Sequence, residues 1–596
     1  MFDEALWAGA HATRNFVLND PVLDWLNLYG EQKGFIRDTG LPGYDPRTDM
    51  SAFLFKKGIE FEQAVIGHLK TRAAVVTIAV EPGQIRDPQM AEQTVDAMAR
   101  GAPIIYKGVL HDDRHQTYGS PDLMVRSNIL HELFPAALSA GDAAVSAPAV
   151  KGGSFHYRIV DIKFTTLDLL VSGELGNSDS GPAYKAQLFI YNRALAQIQG
   201  YLPPVSYLLG RGWKQTIKGE TRRGVNAMEL LAPVSQTGMV SREKTIAAVV
   251  DAACDWVRRV RSDGMNWTVC PHPSVPELRP NMGNKEDAPW AEAKKAIVDE
   301  LDDLTVLWQV GAGKRDAACR QGIRSWRDKR CTAEAVGITG AKQQPILQAI
   351  LDINQREDGP TLSPDRVTAC REIWGPDPPL EFFVDFETVT DLNDDFSDFP
   401  RRGGQPMIFM IGCGHMENDA WTFKCFTATS LTPSAEAVII DDWIDHMGQI
   451  RLKTGNGIER PVVYHWSHAE TTNLSTAYNA SVQRHPDKAG KWSSPHWFDF
   501  LKEVMRAEPV VVRGALGFGL KMIARAMHRH GLIQTLWGEG SMDGLGAMVG
   551  AWWCCEEAAK NGLRSCDISL MKEIEHYNEI DCRVMMEIVH HLRKNH

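Results

Sequence analysis

Two short stretches put acidic side chains where an apolar strand would normally carry none. Tyr157 to Thr166 reads YRIVDIKFTT, and Glu381 to Thr390 reads EFFVDFETVT. Side chains two apart on a strand point to the same face. Asp161 and Lys163 therefore share a face with Ile159, and Asp385 and Glu387 share one with Phe383. Val160, Ile162 and Phe164 cover the opposite face of the first strand, and Phe382, Val384 and Phe386 that of the second. A carboxylate on so apolar a strand is costly unless a cation meets it. Carboxylate oxygens are ligands for hard divalent ions, and an ammonium beside one can position a water. An isolated D-x-K is equally a surface ion pair on an edge strand, so the surrounding elements must decide.

In the first half, Val65, Ile66 and Leu69 make a helical stripe between Lys57 and Lys70, and Glu62 falls on it. Gly119-Ser-Pro-Asp122 is a turn leading into the strand-like Leu-Met-Val-Arg, which sets Asp122 at a strand entrance. If that strand pairs with 157–164, Asp122 and Asp161 converge on one metal. The Ala-, Gly- and Ser-rich stretch 136–153 then loops out between them as a flexible insertion. A helix is predicted from Ala183 to Ile198, with Gln187 and Tyr191 one turn apart on one face. An ordinary amphipathic helix with a buried tyrosine has the same pattern.

Together, Gly58-x-x-Phe61-Glu62, Pro121-Asp122, Asp161-Ile162-Lys163 and Gln187-x-x-x-Tyr191 resemble the RecB-like branch of the PD-(D/E)XK nucleases, in the family's order and over about residues 50–215. The resemblance implies metal ligation by Glu62, Asp122 and Asp161, with Lys163 orienting the attacking water. It implies supporting roles for Gln187 and Tyr191. Glu62 stands where many relatives have His, and the gap between Asp122 and Asp161 is long. Several relatives bind an iron–sulfur cluster through four cysteines. Between Tyr191 and the next domain this chain has Cys254 and Cys270, so no cluster is predicted.

Residues 216–300 read as mostly helical, with a proline-rich break at 271–280. Gly311-Ala-Gly-Lys314 is not a P-loop, because Trp308 and Arg315 occupy positions that motif reserves for Gly and Ser or Thr. Leu304 to Trp326 looks instead like a helix–hairpin–helix, whose glycines would let the backbone approach phosphate. Lys314, Arg315 and Arg320 would bind nucleic-acid backbone, with Arg324, Arg327, Lys329 and Arg330 adding charge. A structural hairpin with a solvated basic face fits the same residues.

In the last third, strand-like runs at 406–413 and 420–427 flank a turn around Glu417-Asn418-Asp419. A helix (434–447) and a strand (Pro461 to Trp466) follow, the order of a ribonuclease-H-like fold. Glu470 lies just past that strand. Asp499 is its rival, although WFDFLKEVM suits a helix. A final long helix carries Tyr577 and Asp581 on the stripe of Ile574, Val584 and Ile588. Asp385-x-Glu387, Glu470 and Tyr577-x-x-x-Asp581 resemble the DEDD exonucleases in their tyrosine-bearing form, over about 380–596. That resemblance implies acids holding two divalent ions, Tyr577 orienting the water, and a 3′–5′ exonuclease-like action on DNA or RNA. Gly519-Leu520-Lys521 resembles a further feature of this branch, in which Lys521 touches the substrate backbone. An ordinary helix-start lysine is the competing reading.

The whole layout is similar to a predicted two-nuclease RecB family of prokaryotes and their viruses. The expected architecture is α/β multidomain. A PD-(D/E)XK restriction-endonuclease-like domain covers 1–215, a helical connector 216–375, and a ribonuclease-H-like domain 376–596. The expected cofactors are Mg²⁺ or Mn²⁺ at two sites. The competing functions are a nucleic-acid-binding scaffold with one or both sites inactive and an RNA-processing exonuclease. No helicase motor motif occurs, so unwinding is expected from a partner such as a helicase or a repair, recombination or defence factor.

Composition bounds these readings. The chain has 596 residues, 44% hydrophobic and 23% charged, with a net charge of −11. That balance is not the global signature of a nucleic-acid binder, although a groove can focus positive charge while metal-binding acids make the sum negative. Eleven scattered cysteines without C-x-x-C suit a reducing compartment. MFDEALWAGA lacks a signal-peptide pattern and no apolar run is long enough for a membrane span, so the expected location is the cytoplasm.

Overall fold

The computed structural model describes residues 3, 5–79, 81–150, 154–240, 244–356, 358–376, 378–454, 460–466, 474–538 and 542–596. The chain is α/β and divides into two compact units. The first comprises residues 1–38, 54–297 and 394–404, and the second 39–53, 298–393 and 405–596. The segment read as a connector, 216–375, is thus divided between them. Among the described residues no helix is long and apolar enough to cross a membrane.

The first unit is built on a mixed sheet that has seven strands among the described residues. Its strands are β1 (Val75–Thr77), β2 (Ile104–Tyr106), β3 (Leu123–Arg126), β4 (Tyr157–Leu169), β5 (Val205–Ile217), β6 (Glu220–Gly224) and β7 (Ala232–Ser235). The order is β7-β5-β4-β3-β2-β1, with β6 also paired to β5. The expected pairing of the two motif strands is present: β3 runs antiparallel to β4, with Leu123 opposite Val160. β5 runs parallel to β4, with Leu208 opposite Asp161. Val160 and Ile162 face a core shared with Phe61, Val65 and Leu69 of helix α1 (Met50–Lys70). Asp161 is thereby turned toward the opposite face, where helix α2 (Gly181–Gln199) runs.

Two expectations are corrected here. Residues 216–235 are not helical. Lys218 and Gly219 both have positive φ (50° and 87°), the two-residue turn that matches strand twist, and they fold β6 back on β5. The expected boundary at 215 therefore falls inside β5. Nor does 136–150 loop out: Leu138 and Ala143 join the core, and the Ser127 hydroxyl donates to the Ala143 carbonyl at 2.6 Å. Small apolar side chains there pack closely rather than leave the backbone free. Residues 151–153 lie outside the described residues.

The second unit centres on a five-stranded sheet: β8 (Glu381–Val389), β9 (Met407–Glu417), β10 (Ala420–Thr427), β11 (Val462–His465) and β12 (His496–Asp499). The order is β10-β9-β8-β11-β12. β9 is antiparallel to both neighbours, while β11 runs parallel to β8 and to β12. Asn418 and Asp419 make the expected turn, again with two positive φ values (50° and 63°). Phe382, Val384 and Phe386 pack with Ile440 and Trp443 of helix α3 (Pro433–Thr454). Phe383, on the acidic face, packs with Val584, Met585 and Ile588 of the last helix, Ser569–Asn595.

The segment 304–330 departs from a helix–hairpin–helix. A single 3₁₀ turn (Leu304–Val306), started by Asp303 accepting from the Thr305 amide at 2.9 Å, precedes the helix Ala312–Arg320. Leu304, Leu307 and Val310 join a local core with Trp326 and Leu347.

Candidate functional site

In the first unit the expected residues come together around two lysines. Lys163 Nζ lies 2.7 Å from Asp161 Oδ2. Asp122 Oδ2 accepts the Ile162 amide at 2.7 Å, which ties the turn to the neighbouring strand. Lys107 follows β2 with a positive φ of 54°, and its ammonium bridges Glu62 Oε1 at 2.6 Å and Asp122 Oδ1 at 2.5 Å. The Tyr106 hydroxyl also donates to Glu62, at 2.8 Å. Burial works against the charge on Asp122, but the Lys107 and Lys163 ammoniums outweigh it and hold the carboxyl below its usual range. Burial, with the nearby Asp122 charge, pushes Asp161 up to about 7.

Glu62, Asp122 and Asp161 therefore form one cluster, but with Lys107 wedged between two of them. Their oxygens do not all approach within 4.8 Å of one another, as a shared metal would ask. This departs from the expected three-carboxylate ligand set. Gln187 donates to the Tyr191 hydroxyl at 2.7 Å, as its spacing suggested. The reason for Gly119 also emerges: a Cβ there would lie 2.3 Å from the Tyr191 ring. Sequence reasoning missed Lys107, Tyr106 and His11. His11 Nδ1 lies 3.5 Å from the Gln187 amide nitrogen, and burial plus Lys163 lowers its pKa to about 4. An exposed-looking lysine after a short strand carries no local signal of this role.

In the second unit, Asp385, Glu387 and Asp581 each place one oxygen within 4.8 Å of the others, the only such set of His, Cys, Asp or Glu among the described residues. Asp385 is half-buried and the other two are buried. The last helix, Ser569–Asn595, brings Asp581 there because β9 has a glycine where it crosses. Asp385 pairs with Gly412, and a Cβ at 412 would lie 1.8 Å from Asn578 Oδ1. Asn578 in turn donates to Asp385 Oδ2 at 2.9 Å. Burial pushes Asp385 up to about 7. Glu387 and Asp581 rise further, through burial first and then repulsion from neighbouring carboxylates. Three acids that repel one another in a buried place form an all-oxygen donor set fitted to a hard divalent cation.

These acids line a cavity of about 610 Å³ with Tyr577, Lys521 and Asp543. Lys521 follows its N-cap Gly519 in helix α4 (Leu520–Arg529). Its ammonium donates to the Met542 carbonyl at 2.6 Å and stands 4.6 Å from the Tyr577 ring centre. Burial and four nearby acids, Asp581, Glu387, Asp385 and Asp543, keep Tyr577 protonated.

Glu470 lies outside the described residues. Asp499 ends strand β12, not a helix, beside His465, and it lines a different cavity. Asp543, which sequence reasoning passed over, lines the acidic cavity and caps helix α5 (Gly544–Asn561) by accepting the Gly546 amide at 2.8 Å. Of the basic residues, Lys314 and Arg320 are exposed, but Arg315 is buried and bonded to Asp316 at 2.8 Å. Its expected phosphate contact is thus not available, because position 315 lies on the buried side of the helix.

Comparison with protein-family models, with curated proteins and with solved structures found no match to this chain.

Proposed function

We propose that this chain is a metal-dependent nuclease that hydrolyses nucleic-acid phosphodiester bonds, with its principal centre at Asp385, Glu387 and Asp581. The observation that carries this reading is the convergence of three carboxylates on one cavity floor, within ligand distance of one another. A divalent ion held there would supply the positive charge that phosphodiester hydrolysis needs at its developing oxyanions. The protonated Tyr577 hydroxyl, one turn from Asp581, is suited to orient a water by hydrogen bonding. Lys521 adds a fixed cation at the same wall. The strand order, with the acidic strand central and its antiparallel partner on one side, supports a ribonuclease-H-like domain and a 3′–5′ exonuclease-like action.

The first unit is proposed as a second, RecB-like centre on a PD-(D/E)XK-like core, carried by Asp122, Asp161 and Lys163. One observation favours the alternative that this centre is an inactive nucleic-acid-binding scaffold: the Lys107 ammonium already bridges Glu62 and Asp122. End-labelled single- and double-stranded DNA and RNA, incubated with Mg²⁺ or Mn²⁺, test both units. Asp385→Ala should abolish one set of products and Lys163→Ala another. If both variants keep every product of the unaltered chain, the two-centre reading is wrong. If only Asp385→Ala loses activity, the first unit is a scaffold.

A further inference from the structure

Helix α4 carries Lys521, Arg525 and Arg529 at successive intervals of four residues, and all three line the acidic cavity. Residues four apart lie on one face, about 6 Å along the axis from one to the next. The other face is locked: Leu520, Ile523, Ala524 and Met527 are buried in the core. The orientation of the basic stripe is therefore set by packing. Lys521 is engaged with the Met542 carbonyl and the Tyr577 ring. Arg525 and Arg529 are exposed, and among the described residues neither makes a hydrogen bond or an ion pair.

Two guanidiniums without a partner among the described residues, beside three clustered acids, divide the cavity by charge. The acidic floor suits a divalent cation, and the arginine wall suits an anion. A guanidinium matches phosphate with two parallel donors, and a row of them matches a polymer of phosphates better than a single anion. Their spacing of one helical turn is close to that of successive phosphates along a strand. The walls around them have little side chain: Gly514, Gly519 and Gly544 line the cavity, and a Cβ on Gly514 would lie 3.0 Å from Arg529 Nη1. Met522, exposed on the same helix, offers an apolar contact for a sugar or base. A cavity of about 610 Å³ has room for a ligand of a few rings, the size of a strand end.

We propose that Arg525 and Arg529 form a phosphate track that holds the single-stranded end of a polynucleotide, with its terminal linkage over Asp385, Glu387 and Asp581. This rests on the phosphodiesterase reading of the same cavity. It extends that reading by naming Arg525 and Arg529 as the residues that hold two phosphates beyond the cleaved one.

The test uses the full chain and the double variant Arg525→Gln, Arg529→Gln, with Arg525→Lys, Arg529→Lys as the charge-keeping control and thermal melting as the check on folding. Anisotropy of a fluorescein-labelled oligothymidylate in Ca²⁺ is followed against salt. Each phosphate contact on a single strand contributes about 0.7 to the slope of log K against log salt. The Gln pair should lower that slope by about 1.4 and weaken binding at least tenfold, and the Lys pair should recover most of the slope. In Mn²⁺, the ratio of kcat/KM for the oligonucleotide to that for thymidine 5′-p-nitrophenyl phosphate, which is too short to span the track, should fall at least tenfold in the Gln pair. An unchanged slope and ratio would overturn the track, and so would equal binding of a blunt duplex. If the unaltered chain cleaves neither substrate while the slope still falls by about 1.4, the phosphodiesterase reading fails and the track stands.

Discussion

Gly412→Ala is the sharpest perturbation of the second centre, because it alters no acid and no polar group. The Cβ it adds would lie 1.8 Å from Asn578 Oδ1, 2.9 Å from Asn578 Cγ and 3.0 Å from the Phe423 ring. Ordinary van der Waals contact begins near 3.4 Å, so Asn578 must retreat by well over 1 Å. Asn578 is fully buried in the long helix α6 (Ser569–Asn595), so the backbone must yield with it. Asp581 lies three residues on, over the same strand, and moves too. Overpacking of this kind costs about 1–3 kcal/mol. Displacing a reacting group by about 1 Å lowers the rate about 10²-fold. The expected result is a modest fall in melting temperature and a roughly hundredfold fall in Mn²⁺-dependent cleavage by the second centre. Calorimetry should show Mn²⁺ binding weakened in parallel. Gly412→Ala combined with Asn578→Ala removes the clash, so its activity should exceed that predicted by adding the two single effects. A Gly412→Ala chain with unaltered Mn²⁺ affinity and cleavage would show that this close crossing does not position Asp581.

Further expectations concern metal, pH and neighbouring acids. Lys107→Met removes the cation shared by Glu62 and Asp122, so the first unit should bind Mn²⁺ more tightly by calorimetry and melt lower in EDTA; unchanged affinity would mean that Lys107 does not compete with metal. Asp385 titrates near 7 in the folded chain against about 3.9 in an unfolded one, so its folded form holds the extra proton between those values. Its contribution to stability is complete below about pH 4 and falls as pH rises through about 7, so urea denaturation should show Mn²⁺ stabilising the chain more at pH 7.5 than at pH 5.5. Arg593 holds the buried Glu381 through bonds of 2.9 and 2.7 Å. Arg593→Met strands that carboxylate beside His590 and should cost about 3–5 kcal/mol in urea denaturation. Asp499→Asn should leave cleavage by the second centre intact, whereas Asp543→Asn should reduce it; the reverse would reassign the acid that assists the trio.

Motif strands were legible because their signal is local. Alternation over nine or ten residues identified β4 and β8, and the apolar side chains of Val160, Phe382 and Val384 made their acidic faces conspicuous. Asp581 was legible because its helix repeats apolar residues at core spacing. The β5–β6 hairpin was not, since Lys218-Gly219 is a weak turn signal inside a polar stretch that also tolerates helix. Asp499 was misassigned to a helix because WFDFLKEVM switches from strand to helix immediately after it. Arg315 looked like part of a basic patch because charge in a list of residues carries no direction.

What this sequence determined by itself was which strands and helices carry the paired acidic and polar side chains. Side-chain periodicity is dictated by backbone geometry, so two acidic strands, the Gln187–Tyr191 helix and the Tyr577–Asp581 helix could be read without coordinates. Tertiary structure alone decided which acids meet and what stands between them. Lys107 enters one cluster from 15 residues before Asp122, and Gly412 admits Asn578 from more than 160 residues away. Such encounters depend on the distance between packed elements, set by whole cores rather than by any local run. For that reason one trio of carboxylates closes to ligand distance and the other is held apart by an ammonium.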